Sequence, residues 1–236
     1  MYVHEWGRHD DVPVIFWHAL GADPSGADFA DVGRPIADAG FHVLAVDGPG
    51  FGKSDALAAD AYRLAALAEL LDELIDEREL DRPVLIGHSW GGAVAVRYAG
   101  AHPGGVRALV LLDSGHLDYL DLDGVDGSRS VEEWIGEARR RLDSPNAAAR
   151  GMAMAGLTDR ISPSWAVIAD DEIPTLLLLA TKPPHVEQNR AHIGKFETAL
   201  PQAEVRWVAG AGHDVLADVG APLGDEIAGW LVEQAF

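Results

Sequence analysis

Short apolar runs alternate along the chain with stretches of helical periodicity. The runs are Val12–His18, Phe41–Val46, Pro83–Gly87, Ala108–Leu112, Pro174–Ala180 and Glu204–Val208. They are rich in Val, Leu and Ile and lack polar alternation, the pattern of strands buried on both faces. Between them, residues 61–79 place Leu64, Leu67, Leu71, Leu74 and Ile75 on one helical stripe. Gly91–Ala101 is small and apolar and suits a buried helix. Residues 214–236 close the chain with a helical pattern that Gly220 and Pro222 interrupt near its start. Strands alternating with helices predict an α/β fold, with a mostly parallel central sheet flanked by helices.

One stretch breaks the alternation. From about His116 to Asp171 an acidic loop, Asp118-Tyr-Leu-Asp-Leu-Asp-Gly124, leads into helical patterns over Val131–Leu142 and Ala147–Leu157. It follows one core strand and precedes the next, so it reads as an insertion (116–171) in a core made of 1–115 and 172–236. With 236 residues and 48% apolar content the chain can bury one sizeable core, and no apolar run is long enough to cross a membrane.

Charge and cysteine content narrow the function classes. Eighteen Lys and Arg stand against 38 Asp and Glu, a formal charge of −20. A surface this acidic repels phosphate backbones and anionic headgroups, so neither nucleic acid nor membrane is an expected partner. A small-molecule substrate is expected, and a strongly anionic one is disfavoured. Zero cysteines exclude disulfides, thiol nucleophiles and Cys-based zinc sites. No basic or apolar leader is visible at Met1–Gly7, and the expected location is cytoplasmic. Oligomeric state is not legible.

The strongest chemical signal is Val84-Leu-Ile-Gly87-His-Ser89-Trp-Gly91-Gly92, a buried strand running into a Gly/Ala-rich helix. A serine on such a strand-to-helix turn projects its hydroxyl at a helix N-terminus, where backbone N–H groups favour a developing oxyanion. Ser89 is therefore the candidate nucleophile. It needs a base to take its proton. His213, in Ala209-Gly-Ala-Gly-His-Asp214 after the last strand, supplies one in the chain order expected for this motif.

These pieces, with the loops His18-Ala-Leu-Gly21 and Asp47-Gly-Pro-Gly-Phe-Gly-Lys-Ser54, resemble the α/β-hydrolase superfamily over essentially the full length. The resemblance implies an oxyanion hole from the backbone N–H groups of Leu20 and Trp90, and a lid formed by the insertion. It implies no cofactor or metal. Ala19 departs from the family, which usually has glycine there. A further departure concerns the triad acid. Where the family usually carries a Gly-x-x-Asp acid, this chain reads Ala180-Thr-Lys-Pro183-Pro-His-Val-Glu187. Two carboxylates remain, Asp113 at the end of Ala108–Leu112 and Glu187. A strand end holds a carboxylate more rigidly, which makes Asp113 the expected acid and Glu187 the alternative.

Other signals weaken on inspection. Gly48–Ser54 lacks the spacing of a phosphate-binding loop, and none of the ten histidines has metalloprotease spacing. The expected activity is that of a serine hydrolase cleaving a small, uncharged, fairly apolar ester through an acyl-enzyme. Lactonase, thioesterase, C–C hydrolase and perhydrolase chemistries use the same machinery. A non-catalytic ligand-binding protein on this fold is the alternative from another class.

Overall fold

The structure is a computed structural model, and it describes residues 1–21, 23–123 and 125–236. Its centre is one sheet of seven strands: β1 (Val3–Trp6), β2 (Val12–Trp17), β3 (Phe41–Val46), β4 (Val84–His88), β5 (Ala108–Leu112), β6 (Thr175–Ala180) and β7 (Glu204–Val208). Their spatial order is β1-β3-β2-β4-β5-β6-β7, parallel throughout except for the β1 edge. Every residue of β3, β4, β5 and β6 is buried. Period-2 alternation divides their side chains between two apolar layers. Ile15, Trp17, Leu44, Leu85, Leu109 and Leu177 face one layer, and Val14, Phe16, Val43, Ile86, Val110 and Leu176 face the other.

Helices cover both faces. The first layer is completed by α2 (Leu64–Glu77), α3 (Trp90–Ala101), α6 (Ser162–Asp170) and Phe196 of α7 (His185–Ala199). The second is completed by α1 (Ala30–Asp38), α8 (Val215–Val219) and α9 (Ala221–Glu233). The predicted C-terminal helix is thus split at Gly220, which adopts φ 65°. The remaining helices are α4 (Val131–Arg141) and α5 (Ala147–Gly156), packed on each other so closely that a Cβ on Gly151 would lie 2.4 Å from Ile135 Cα. A Ser130–Glu133 capping box starts α4, and three arginines in its last turn complement the dipole.

Four elements were not legible from the pattern. The strand β1 is a four-residue edge with partly polar faces. Gly33 and Pro35 interrupt the apolar stripe of α1, which still buries Val32 and Ile36. The short α6, started by Pro163, lies inside the predicted insertion. Yet Trp165 and Ile168 join the layer around α3, and Ser164 stands where a Cβ on Gly100 would sit. The mostly polar α7 buries little besides Val186, Asn189 and Phe196. Among the described residues, no helix is long and apolar enough to cross a membrane.

This topology fixes where a site can form. The strand order reverses between β2 and β4, so the crossovers leaving them run to opposite faces and a crevice opens at their carboxyl ends. Ser89 follows β4 there, and the loop carrying Leu20 follows β2.

Candidate active site

Ser89 takes φ 53° and ψ −111°, a left-handed conformation that a non-glycine residue adopts at a cost of roughly 1–3 kcal/mol. The turn is that sharp because β4 must reverse into α3 within one residue. It closes only on glycines. A Cβ on Gly87 would sit 2.4 Å from Gly91 O, and one on Gly91 would sit 2.0 Å from Trp17 O. The result is a hydroxyl at the N-terminal end of α3. There the first backbone N–H groups, that of Trp90 included, have no acceptor within the helix.

Three side chains from three separate loops form a continuous hydrogen-bonded series. Ser89 Oγ lies 2.8 Å from His213 Nε2, and His213 Nδ1 lies 2.6 Å from Asp113 Oδ2. Asp113 directly follows β5 with φ 46°, and its other oxygen accepts from Ala180 N at 2.8 Å and Asn189 Nδ2 at 2.6 Å. Burial alone would raise its pKa. The hydrogen bond from His213, with those from the Ala180 N–H and Asn189, brings it below the ordinary carboxylate value. The end of β6, where the superfamily usually places its acid, here supplies the Ala180 N–H that holds Asp113 in place. Glu187 is exposed in the first turn of α7, and it is Asp113 that meets His213.

The loop after β2 is braced from both sides. His18 donates from Nδ1 to Ala19 O (2.7 Å) and accepts at Nε2 from Gly48 N (2.9 Å), which fixes the peptide carrying the Leu20 N–H. Arg150 of α5 donates to Leu20 O and, at 2.9 Å, to Gly21 O. The buried Asp47 carboxylate holds the neighbouring loop through Gly26 N and Lys53 N. The Gly48–Ser54 segment is therefore a structural loop that supports His18.

A model of the alpha/beta hydrolase fold family matches residues 12–169, about two thirds of the sequence. The chain belongs to the α/β-hydrolase fold family. The chain is 36% identical over 103 residues to 2-hydroxy-6-oxononadienedioate/2-hydroxy-6-oxononatrienedioate hydrolase 1 of Pseudomonas putida, covering 43% of this chain. It is 31% identical over 130 residues, 53% of this chain, to 2-hydroxy-6-oxo-6-phenylhexa-2,4-dienoate hydrolase of Comamonas testosteroni. These matches span 36% and 45% of those proteins, less than half of either. A carboxylesterase structure from the thaumarchaeon Nitrososphaera gargenis has a TM-score of 0.76 at 17% identity, covering 99% of this chain and 94% of that one. This last likeness is one of fold.

Three residues of this α/β-hydrolase site escaped the sequence reading. Tyr119, from a short 3-10 turn (Tyr119–Asp121) after β5, places its hydroxyl 3.2 Å from Ser89 Oγ. His88, inside the elbow, is buried and donates from Nε2 to His213 O at 2.6 Å, which anchors the loop that carries His213. Asn189 reaches Asp113 from a polar helix. Only the elbow position of His88 was visible beforehand, since contacts between distant segments leave no local signature.

Among the described residues, two groups of ligand-type atoms lie within 4.8 Å of one another: Asp113, His185 and His213, and Glu5, His9 and His42. In the first, both His213 nitrogens already face Ser89 and Asp113. In the second, Glu5 is paired with Arg78.

Three histidines around the site are held neutral. Burial brings His18, His88 and His116 each down to about 4. The unfolded chain binds their protons below about 6.5 and the folded chain only below about 4. Between those values the unfolded state carries more protons, so stability falls as pH drops from about 6.5 to 4. The expected loss is on the order of 1–3 kcal/mol per histidine. A Tm series over that range checks it, and a flat series would contradict the neutral assignments.

Proposed function

We propose that the protein is a serine hydrolase that works through an acyl-enzyme on Ser89. The observation that carries this reading is the Ser89–His213–Asp113 series, with both hydrogen bonds at 2.8 Å or less. His213 Nδ1–H donates to Asp113, which leaves Nε2 free to accept the Ser89 proton as Oγ attacks a carbonyl. The backbone N–H groups of Leu20 and Trp90 receive the oxyanion. Imidazolium then gives its proton to the leaving group. Water, activated by the same histidine, frees the acid and restores Ser89. The α4–α5 pair serves as the lid, bound to the oxyanion loop through Arg150, whereas α6 belongs to the core layer.

The substrate class that fits best is a small uncharged ester. A cavity beside His213 and Leu20, about 520 Å³, is also lined by Asp23, Asp28, Asp31 and Asp214 and, among the described residues, by no Lys or Arg. An anionic substrate would meet repulsion there. The second reading is hydrolysis of a C–C bond, favoured by the identity to the two dienoate hydrolases.

A fluorophosphonate probe and a nitrophenyl ester panel of increasing acyl length, with a 2-hydroxy-6-oxo-dienoate alongside, test these readings. The expected result is one covalent adduct on Ser89 and turnover of short esters. Turnover of the dienoate alone would favour C–C hydrolysis. Absence of any adduct would leave a ligand-binding protein on this fold.

A further inference from the structure

Beside the triad lies a second, smaller cavity of about 180 Å³. Its polar lining comes from Tyr119, His116, His185 and Gln188, next to Asp113 and His213. That space accommodates a group of roughly five or six non-hydrogen atoms. Two of the polar groups have work left to do. His116 is 1% exposed, and neither of its ring nitrogens makes a hydrogen bond of good geometry, although the Ser114 backbone and the Asn189 side chain lie close enough to favour its charged form slightly. Leaving such a group unmatched costs about 1–3 kcal/mol.

Tyr119 is the second. Proton counting assigns its direction. Asp113 accepts from His213 Nδ1, so Nε2 accepts the Ser89 proton, and the Tyr119 O–H is left to donate to Ser89 Oγ. Once Ser89 Oγ attacks a carbonyl, its electron pairs are drawn into the new bond and it becomes a poorer acceptor. The Tyr119 O–H is then available to an oxygen of a substrate held beside Ser89 Oγ.

Three of the lining side chains favour their uncharged forms near neutral pH. Burial pushes the Tyr119 phenol up to about 12 and His116 down to about 4, and burial lowers His185 as well. The nearby cations, Arg160 and Lys195, line the adjoining pocket and are paired with Asp118 and Asp121. A substrate carboxylate in the small cavity would face Asp113, and no Lys or Arg lines that cavity among the described residues.

We propose that this cavity is a subsite for a small uncharged hydrogen-bonding group of the substrate, a hydroxyl or carbonyl, with Tyr119 and His116 as its readers. The assignment rests on the serine-hydrolase reading and narrows its substrate from an apolar ester to one carrying a neutral oxygen function near the scissile carbonyl.

The test uses the full chain and matched esters. On the acyl side these are nitrophenyl butyrate, nitrophenyl 3-hydroxybutyrate and the nitrophenyl monoester of succinic acid. On the alcohol side they are propyl and 2-hydroxyethyl butyrate. In at least one pair the hydroxylated ester should exceed its alkyl partner roughly tenfold in kcat/KM, the size of one hydrogen bond. The succinyl ester should be the poorest of its series. Tyr119→Phe, which keeps the ring, should erase the preference. His116→Leu should reduce it.

Fluorophosphonate labelling of each variant reports whether the nucleophile is intact. A labelled wild-type enzyme without the preference, or one whose preference survives Tyr119→Phe, overturns the subsite and leaves the serine-hydrolase reading standing. A wild-type chain that neither labels nor turns over any ester overturns both.

Discussion

Ser89→Ala is expected to lower ester turnover by roughly 10⁴- to 10⁶-fold, the range seen when a serine nucleophile is removed from an intact site. The proposed mechanism has no substitute for the missing oxygen. Tyr119 places another hydroxyl 3.2 Å away, but its phenol is pushed up to about 12 and no hydrogen bond joins it to His213. What remains is the catalysis that an oxyanion hole and substrate binding supply by themselves. Initial rates on a short nitrophenyl ester measure the loss, and mass spectrometry after fluorophosphonate treatment should find no adduct. Turnover within tenfold of wild type would end the acyl-enzyme mechanism.

The same position gives a stability readout independent of activity. Ser89 stands at φ 53°, so Ser89→Ala keeps the backbone strain, whereas Ser89→Gly relieves it. The glycine variant is therefore expected to be equally inactive and to melt no lower than the alanine variant. Strain at this elbow lowers stability in return for a fixed hydroxyl position, and the comparison isolates that contribution.

The elbow was legible in the sequence because its requirements are local. A buried β-branched and leucine run, then glycines two residues either side of a serine, then small helix formers, leave one conformation open. The sheet was legible for a similar reason, since β3, β4, β5 and β6 are buried at every position and read as continuous apolar runs. Elements with mixed surroundings were not. In α1 a Gly and a Pro break the stripe, and α7 is polar because most of its surface faces solvent.

The acid partner was only partly legible. Sequence left Asp113 and Glu187 as competitors. What distinguishes them is the long-range placement of Ala180 and Asn189 on Asp113, which no local pattern encodes. Tyr119 was hidden for the same reason. It lies in an acidic loop that looks solvated, yet tertiary packing turns its hydroxyl onto Ser89.

Asp113→Asn is expected to reduce kcat about 10⁴-fold with KM little changed, while Glu187→Gln stays within about twofold of wild type. The argument is one of proton direction. The Asp113 oxygen that accepts from Ala180 N and Asn189 Nδ2 would remain an oxygen in asparagine, because both of its partners are donors. The amide nitrogen would then face His213 Nδ1 and present an N–H to it. His213 would be driven to carry its proton on Nε2, the nitrogen that must accept from Ser89. The base would sit in place with the wrong tautomer. Asparagine matches aspartate in size, so packing and the approach of substrate are preserved, which is why the loss should fall on kcat. Glu187 is exposed on α7, and its replacement removes a charge from a surface that has many. Steady-state rates for the two variants decide the assignment. A larger loss in Glu187→Gln than in Asp113→Asn would return the acid to the loop after β6.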